Sequence, residues 1–95
     1  MQYKSVTDMY EAAWLVANEC QIEGVECIPL SEGLTCRFEF SGSNLGFLEE
    51  LFLKKEAQVN VHAFRRAYGQ VNSFIHEAKK NYDRELRRLR KAGSL

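Results

Sequence analysis

Ninety-five residues, 45% of them hydrophobic, with 13 basic and 13 acidic side chains, describe one ordinary globular domain of zero net charge. That argues against a two-module chain, and the single proline, Pro29, leaves no linker composition. No apolar run approaches the roughly 20 residues of a membrane span and no basic-then-apolar leader opens the chain, so a cytoplasmic protein without membrane contact is expected. The neutral total hides a division. Residues 1–61 carry ten acids against four bases, a net of −6, and residues 62–95 carry nine bases against three acids, a net of +6. A dipolar molecule of this kind suits a second copy of itself, an acidic protein or a nucleic acid.

In chain order, Ser5 and Thr7 are candidate caps for a first helix from Asp8 to about Gln21, stopped by Gly24. Met9, Ala12, Ala13, Val16 and Cys20 make one apolar stripe, and Tyr10, Trp14 and Ala17 a second beside it. So wide an apolar arc requires either cover on both sides or an interface at Trp14. A hairpin follows, Val25–Leu30 and Leu34–Phe40, with strict alternation in its second strand. A turn at Glu32-Gly33 pairs Ser31 with Leu34, Cys27 with Phe38 and Val25 with Phe40. Val25, Cys27, Pro29, Cys36, Phe38 and Phe40 then share one face. Pro29 marks its strand as an edge or as its irregular end.

Ser41-Gly42-Ser43-Asn44 breaks the strand and supplies a cap for a second helix to about Lys55. Leu45, Leu48, Leu51 and Phe52 face inward; Glu49, Glu50, Lys54 and Lys55 face outward. Ala57–Val59 either adds a third strand or runs extended. Asn60 caps the last helix, Val61 to Lys91, whose apolar positions Phe64, Tyr68, Val71, Ile75, Ala78, Tyr82, Leu86 and Leu89 hold three-and-four spacing. Gly69 inside it suggests close packing or a slight kink. Such a helix spans about 46 Å, whereas a compact domain of this size measures only about 32 Å across. The fold expected is α+β, a small antiparallel hairpin sheet packed by three helices with the last one protruding. Residues 1–82 form the compact domain and 83–95 a basic extension.

The points Thr7-Asp8-Met9, Ala12-Ala13-Trp14-Leu15, Phe38-Glu39-Phe40, Val59-Asn60-Val61 and Ala63-Phe64 resemble those of a family of small uncharacterised prokaryotic domains. The resemblance runs from Thr7 to Phe74. It implies the same fold and carries no activity; the basic helix from Tyr82 onward lies outside it.

No catalytic motif appears. Cys20, Cys27 and Cys36 stand at spacings that make neither a disulfide framework nor a zinc site, and they read as small buried hydrophobes. His62 and His76 lie about four turns apart on one helix and cannot share a ligand. Glu49 and Glu50 are consecutive and point apart. Gly42-Ser43-Asn44-Leu45-Gly46 lacks the Gly-Lys-Ser/Thr ending of a phosphate loop. An enzyme, a metal and a cofactor are therefore not expected. What remains is the basic helix: Lys80, Arg84, Arg87, Arg88 and Lys91 form a cationic stripe, with Leu86 and Leu89 on another face. Leucines flanked by arginines suit a helix-to-helix interface. The expected function is a protein-interaction module binding a second copy or an acidic protein through Leu86, Leu89, Arg84, Arg87, Arg88, Lys91 and Trp14. The alternative is a small DNA- or RNA-binding regulator using the cationic stripe on phosphates.

Overall fold

The chain alternates local solutions to one problem, the burial of a phenylalanine-rich strand. A computed structural model describes residues 1–93; residues 94 and 95 of the expected extension lie outside the described residues. The elements are β1 (Gln2–Val6), α1 (Met9–Ala17), β2 (Gln21–Leu30), β3 (Gly33–Gly42), α2 (Leu45–Leu53) and α3 (Val61–Gly93). The strands form one antiparallel sheet in the order β1-β3-β2, with β3 in the centre. The fold is α+β, as the periodicities require.

Phe38 and Phe40 of β3 are fully buried, their rings 6.2 Å apart, and the helices close over that face with Ala12, Ala13, Trp14, Leu15, Leu45, Leu48, Ala67 and Val71. At roughly 25 cal/mol per Å² of buried apolar surface, two phenylalanines in this position outweigh any single polar contact in the molecule. The other face of β3 stays polar, with Arg37 bridging Glu26 at 2.5 Å and Glu39 at 3.2 Å, and Ser5 donating to Glu39 at 2.5 Å. These exposed pairs fix side chains more than they stabilise the fold.

The third strand is β1, not Ala57–Val59, which carries no strand. Ser5 and Thr7 therefore cap nothing. Asp8 is the cap, its carboxylate accepting from the N–H groups of Tyr10 at 2.8 Å and Glu11 at 3.0 Å. α1 stops at Ala17, earlier than Gln21, because Asn18 turns its side-chain amide back onto the Trp14 carbonyl at 2.8 Å and Glu19 adopts φ 65°. Gly24 is consequently inside β2, beside a register shift between Ile22 and Gly24. In α2 the Asn44 side chain makes no capping bond. The N–H of Gly46 is satisfied instead by the Gln2 side chain of β1 at 2.9 Å, so an acceptor far away in sequence completes this helix start.

The hairpin turn is Ser31-Glu32, closed by Leu30 and Gly33, with Gly33 at φ 126°, where a side chain would be strained. Cys27 faces Cys36 and Val25 faces Phe38, two residues away from the expected register. A slip of two leaves every side chain on its expected face, which is why the face assignment is correct and the partners are not. Pro29 lies on an edge strand, as its missing N–H demands.

Candidate functional site

α3 begins as the sequence requires. The Asn60 side chain accepts from His62 N–H at 2.9 Å and Ala63 N–H at 3.1 Å, and 33 helical residues follow. Over its first half the apolar stripe is used. Ala67 and Val71 are buried, and Phe64, Tyr68, Ile75 and Ala78 pack against the core beneath α1, β2 and β3. Among the described residues Ala78 is the last α3 position packed on that core.

The stripe nevertheless continues. Tyr82 and Leu86 are half-buried, Leu89 is 58% exposed, and every other residue from 83 to 93 is exposed. The molecule measures 55 × 26 × 24 Å, so its long dimension matches a helix of this length at about 1.5 Å per residue. Arg84, Arg87, Arg88 and Lys91 all reach solvent around the leucines, as does Lys80 one turn earlier. Arg88 is held by Glu85 at 2.6 Å, an exposed pair worth a few tenths of a kcal/mol. The structure thus brings together six of the seven residues expected at a partner surface.

Trp14 is the exception and is corrected. It is 4% exposed, and its indole N–H donates to the Leu48 carbonyl at 3.0 Å, tying α1 to α2. The first apolar stripe of α1 and the Trp14 position of the second are covered by the fold, so this tryptophan belongs to the core, while Tyr10 of the second stripe stays 60% exposed. Gly69 likewise faces open space, not a close-packed neighbour.

Two surfaces have no counterpart in the sequence reading. The first is on α2, where Phe47 and Leu53 are exposed while Leu45 and Leu48 are buried, so this short helix is apolar on both sides. Glu49, Glu50 and Leu53 line a shallow depression there. Its signal was readable in Leu45-Gly-Phe-Leu-Glu-Glu-Leu-Phe-Leu, which holds more apolar residues than one inward face can use. The second surface lies where α1 meets the start of α3. Tyr10 stacks on Tyr68 at 5.8 Å, and with Val61, Phe64 and Arg65 they line an open apolar groove.

The interior polar chemistry is structural. Lys4 points inward from β1 and pairs with Glu49, near Glu11 at the start of α1. Burial pushes the Glu11 carboxyl above its usual range; Lys4 pulls it partly back, and Glu49 and Asp8 push it up again. Burial likewise raises the Cys20 thiol. Among the described residues no group of three or more His, Cys, Asp or Glu side chains is placed to hold a metal, and no helix is long and apolar enough to cross a membrane. No family model, curated protein or solved structure matches this chain.

Proposed function

We propose that this chain is a non-enzymatic protein-interaction module that associates through the end of α3 with an acidic surface. The observation that carries the reading is the continuation of one apolar stripe beyond the core it packs on, with Leu86 half-buried and Leu89 exposed between arginines. A helix that binds only phosphates has no use for that leucine face, whereas a helix that docks on another protein buries it and leaves Arg84, Arg87, Arg88 and Lys91 at the rim. The outer face of α2 in a second copy offers apolar area at Phe47 and Leu53, with Leu53 beside Glu50, a carboxylate shared with Lys54 at 2.7 Å, while Glu49 is held by Lys4. The acidic residues of the body also weigh against the DNA or RNA alternative, because a phosphate backbone is attracted to one end of the molecule and repelled by the rest. The resemblance to small uncharacterised prokaryotic domains adds no activity to this reading.

Light scattering at low and high salt tests it. The expected result is a mass above the 11.0 kDa monomer that persists at high salt and is lost when Leu86 and Leu89 are both replaced by serine. A complex that survives in the Leu86→Ser/Leu89→Ser protein removes the α3 tail as the contact. If the tail binds nucleic acid instead, Arg87→Glu with Arg88→Glu weakens that binding at every sequence and flattens its salt slope.

A further inference from the structure

Cys27 and Cys36 are register partners on adjacent strands, and their sulfurs lie 3.7 Å apart. All three cysteines are free thiols, but only these two approach one another. The ladder decides what that approach permits. Antiparallel pairs alternate between hydrogen-bonded and non-hydrogen-bonded kinds. Pro29 has no N–H, so Pro29/Leu34 cannot be a fully hydrogen-bonded pair, and Cys27/Cys36, two residues along each strand, belongs to the same non-hydrogen-bonded kind. Such pairs bring Cα atoms to about 4.5 Å and side chains closer than the alternative, within the Cα range of about 4.4–6.8 Å that a disulfide spans. The sulfurs need only close from 3.7 Å to roughly 2.05 Å, by side-chain rotation with the backbone in place. Beside Cys36 a cavity of about 130 Å³, lined by Met9, Leu34, Phe38, Ile75 and Lys79, gives that rotation room.

We propose that Cys27 and Cys36 form a dithiol site that a small-molecule disulfide converts to a single cross-strand disulfide, clasping the edge strand β2 to the central strand β3. The half-buried Cys27 is the entry point, since Cys36 is 6% exposed. The Cys27 thiolate attacks one sulfur of the oxidant RSSR, breaking its S–S bond and releasing RS⁻, which takes up a proton. Cys36 then loses its proton to solvent and attacks the Cys27 sulfur of the mixed disulfide, expelling the second RS⁻. Two protein thiols and RSSR become one protein disulfide and two RSH, and the two electrons end on the oxidant. Burial, with the hydrogen bond and proximity of Cys27, pushes the Cys36 thiol up to about 11, while Lys79 opposes the rise. Cys36 therefore waits as a thiol until its neighbour is already modified. Cys20 lies outside the pair and stays reduced.

The test is to incubate the full chain with glutathione disulfide under native conditions, alkylate the remaining thiols and map the peptides by mass spectrometry. The expected product links Cys27 to Cys36, leaves Cys20 alkylated and melts roughly 10 °C higher than the reduced protein, the rise that closing a loop this short gives a domain of this size. Cys20→Ser retains both changes, and Cys27→Ser, checked for folding by circular dichroism, loses both. Three free thiols after incubation, a glutathione adduct that persists on Cys27, or a bond that includes Cys20 overturns the proposal. So does a disulfide that forms only after the protein is unfolded.

Discussion

The two halves of α3 carry the same apolar spacing and meet opposite fates. From Phe64 to Ala78 the stripe lies on α1 and the sheet, with Val71 fully buried; from Tyr82 to Leu89 the same stripe leaves the body, and Leu89 is mostly in solvent. Periodicity records only that one side of a helix is to be covered. It is silent on whether the cover comes from the same chain. A stripe that outlasts its own domain is the feature on which the proposed contact surface rests, and the neighbouring arginines are the reason an acidic partner is proposed.

A matched pair of substitutions is the strongest way to break this contrast. Val71→Lys places a charge in the fully buried site and is expected to destabilise the fold by more than about 4 kcal/mol, whereas Leu89→Lys stays within about 0.5 kcal/mol in a monomeric sample. Urea unfolding followed by circular dichroism measures both. Equal losses would mean that the tail is part of the cooperative core.

Trp14→Phe asks how firmly the covered region is joined. It keeps most of the ring but leaves the Leu48 carbonyl without its 3.0 Å donor, and a loss of about 1–3 kcal/mol is expected in the same assay. An unchanged midpoint would show that water replaces the indole. Gly69→Ala acts in the other direction. An added Cβ meets nothing within 4 Å, so helix propensity alone decides, and a gain of about 0.5–1 kcal/mol is expected as a higher Tm.

The smallest effect concerns pH. Burial raises the Glu11 carboxyl above its ordinary 4.5, so the folded state holds that proton more tightly than the unfolded chain does. The sign follows directly. The stabilising contribution is complete below 4.5 and is lost as pH rises through the elevated folded value. Glu11→Gln should remove that decline from the stability profile while leaving the acid limb unchanged. A profile identical to the wild type would show that the nearby charge of Lys4 offsets the burial.

Much of this architecture is written in local pattern. The alternation of Leu34, Cys36, Phe38 and Phe40 identifies the central strand and its inward face, Asn60 marks the start of α3, and the three-and-four spacing carries α3 to within two residues of its observed end. The charge division along the chain identifies the tail and its basic character. β1 was hidden because an inward position is held by Lys4, which joins Glu49 with its ammonium, so the alternation of a strand is masked. The exposed Phe47 and Leu53 were hidden for a related reason, since an inward count stops once one face is full.

Sequence by itself determined the burial-seeking positions of the central strand and of α3, five of the six elements though not all of their ends, and the sign of the charge beside them. These follow from the 3.6- and 2-residue periods of a chain acting on its immediate neighbours. Only the tertiary structure decided that Trp14 is covered, that Cys27 meets Cys36 and not Phe38, that Gln2 completes the start of α2, and that, among the described residues, Ala78 is the last position of the α3 stripe packed on the core. A two-residue slip of a hairpin leaves every face unchanged, and a helix cannot tell from its own period how far the opposing surface extends. Those facts belong to pairs of residues far apart in the chain, and they exist only once the layers are in contact.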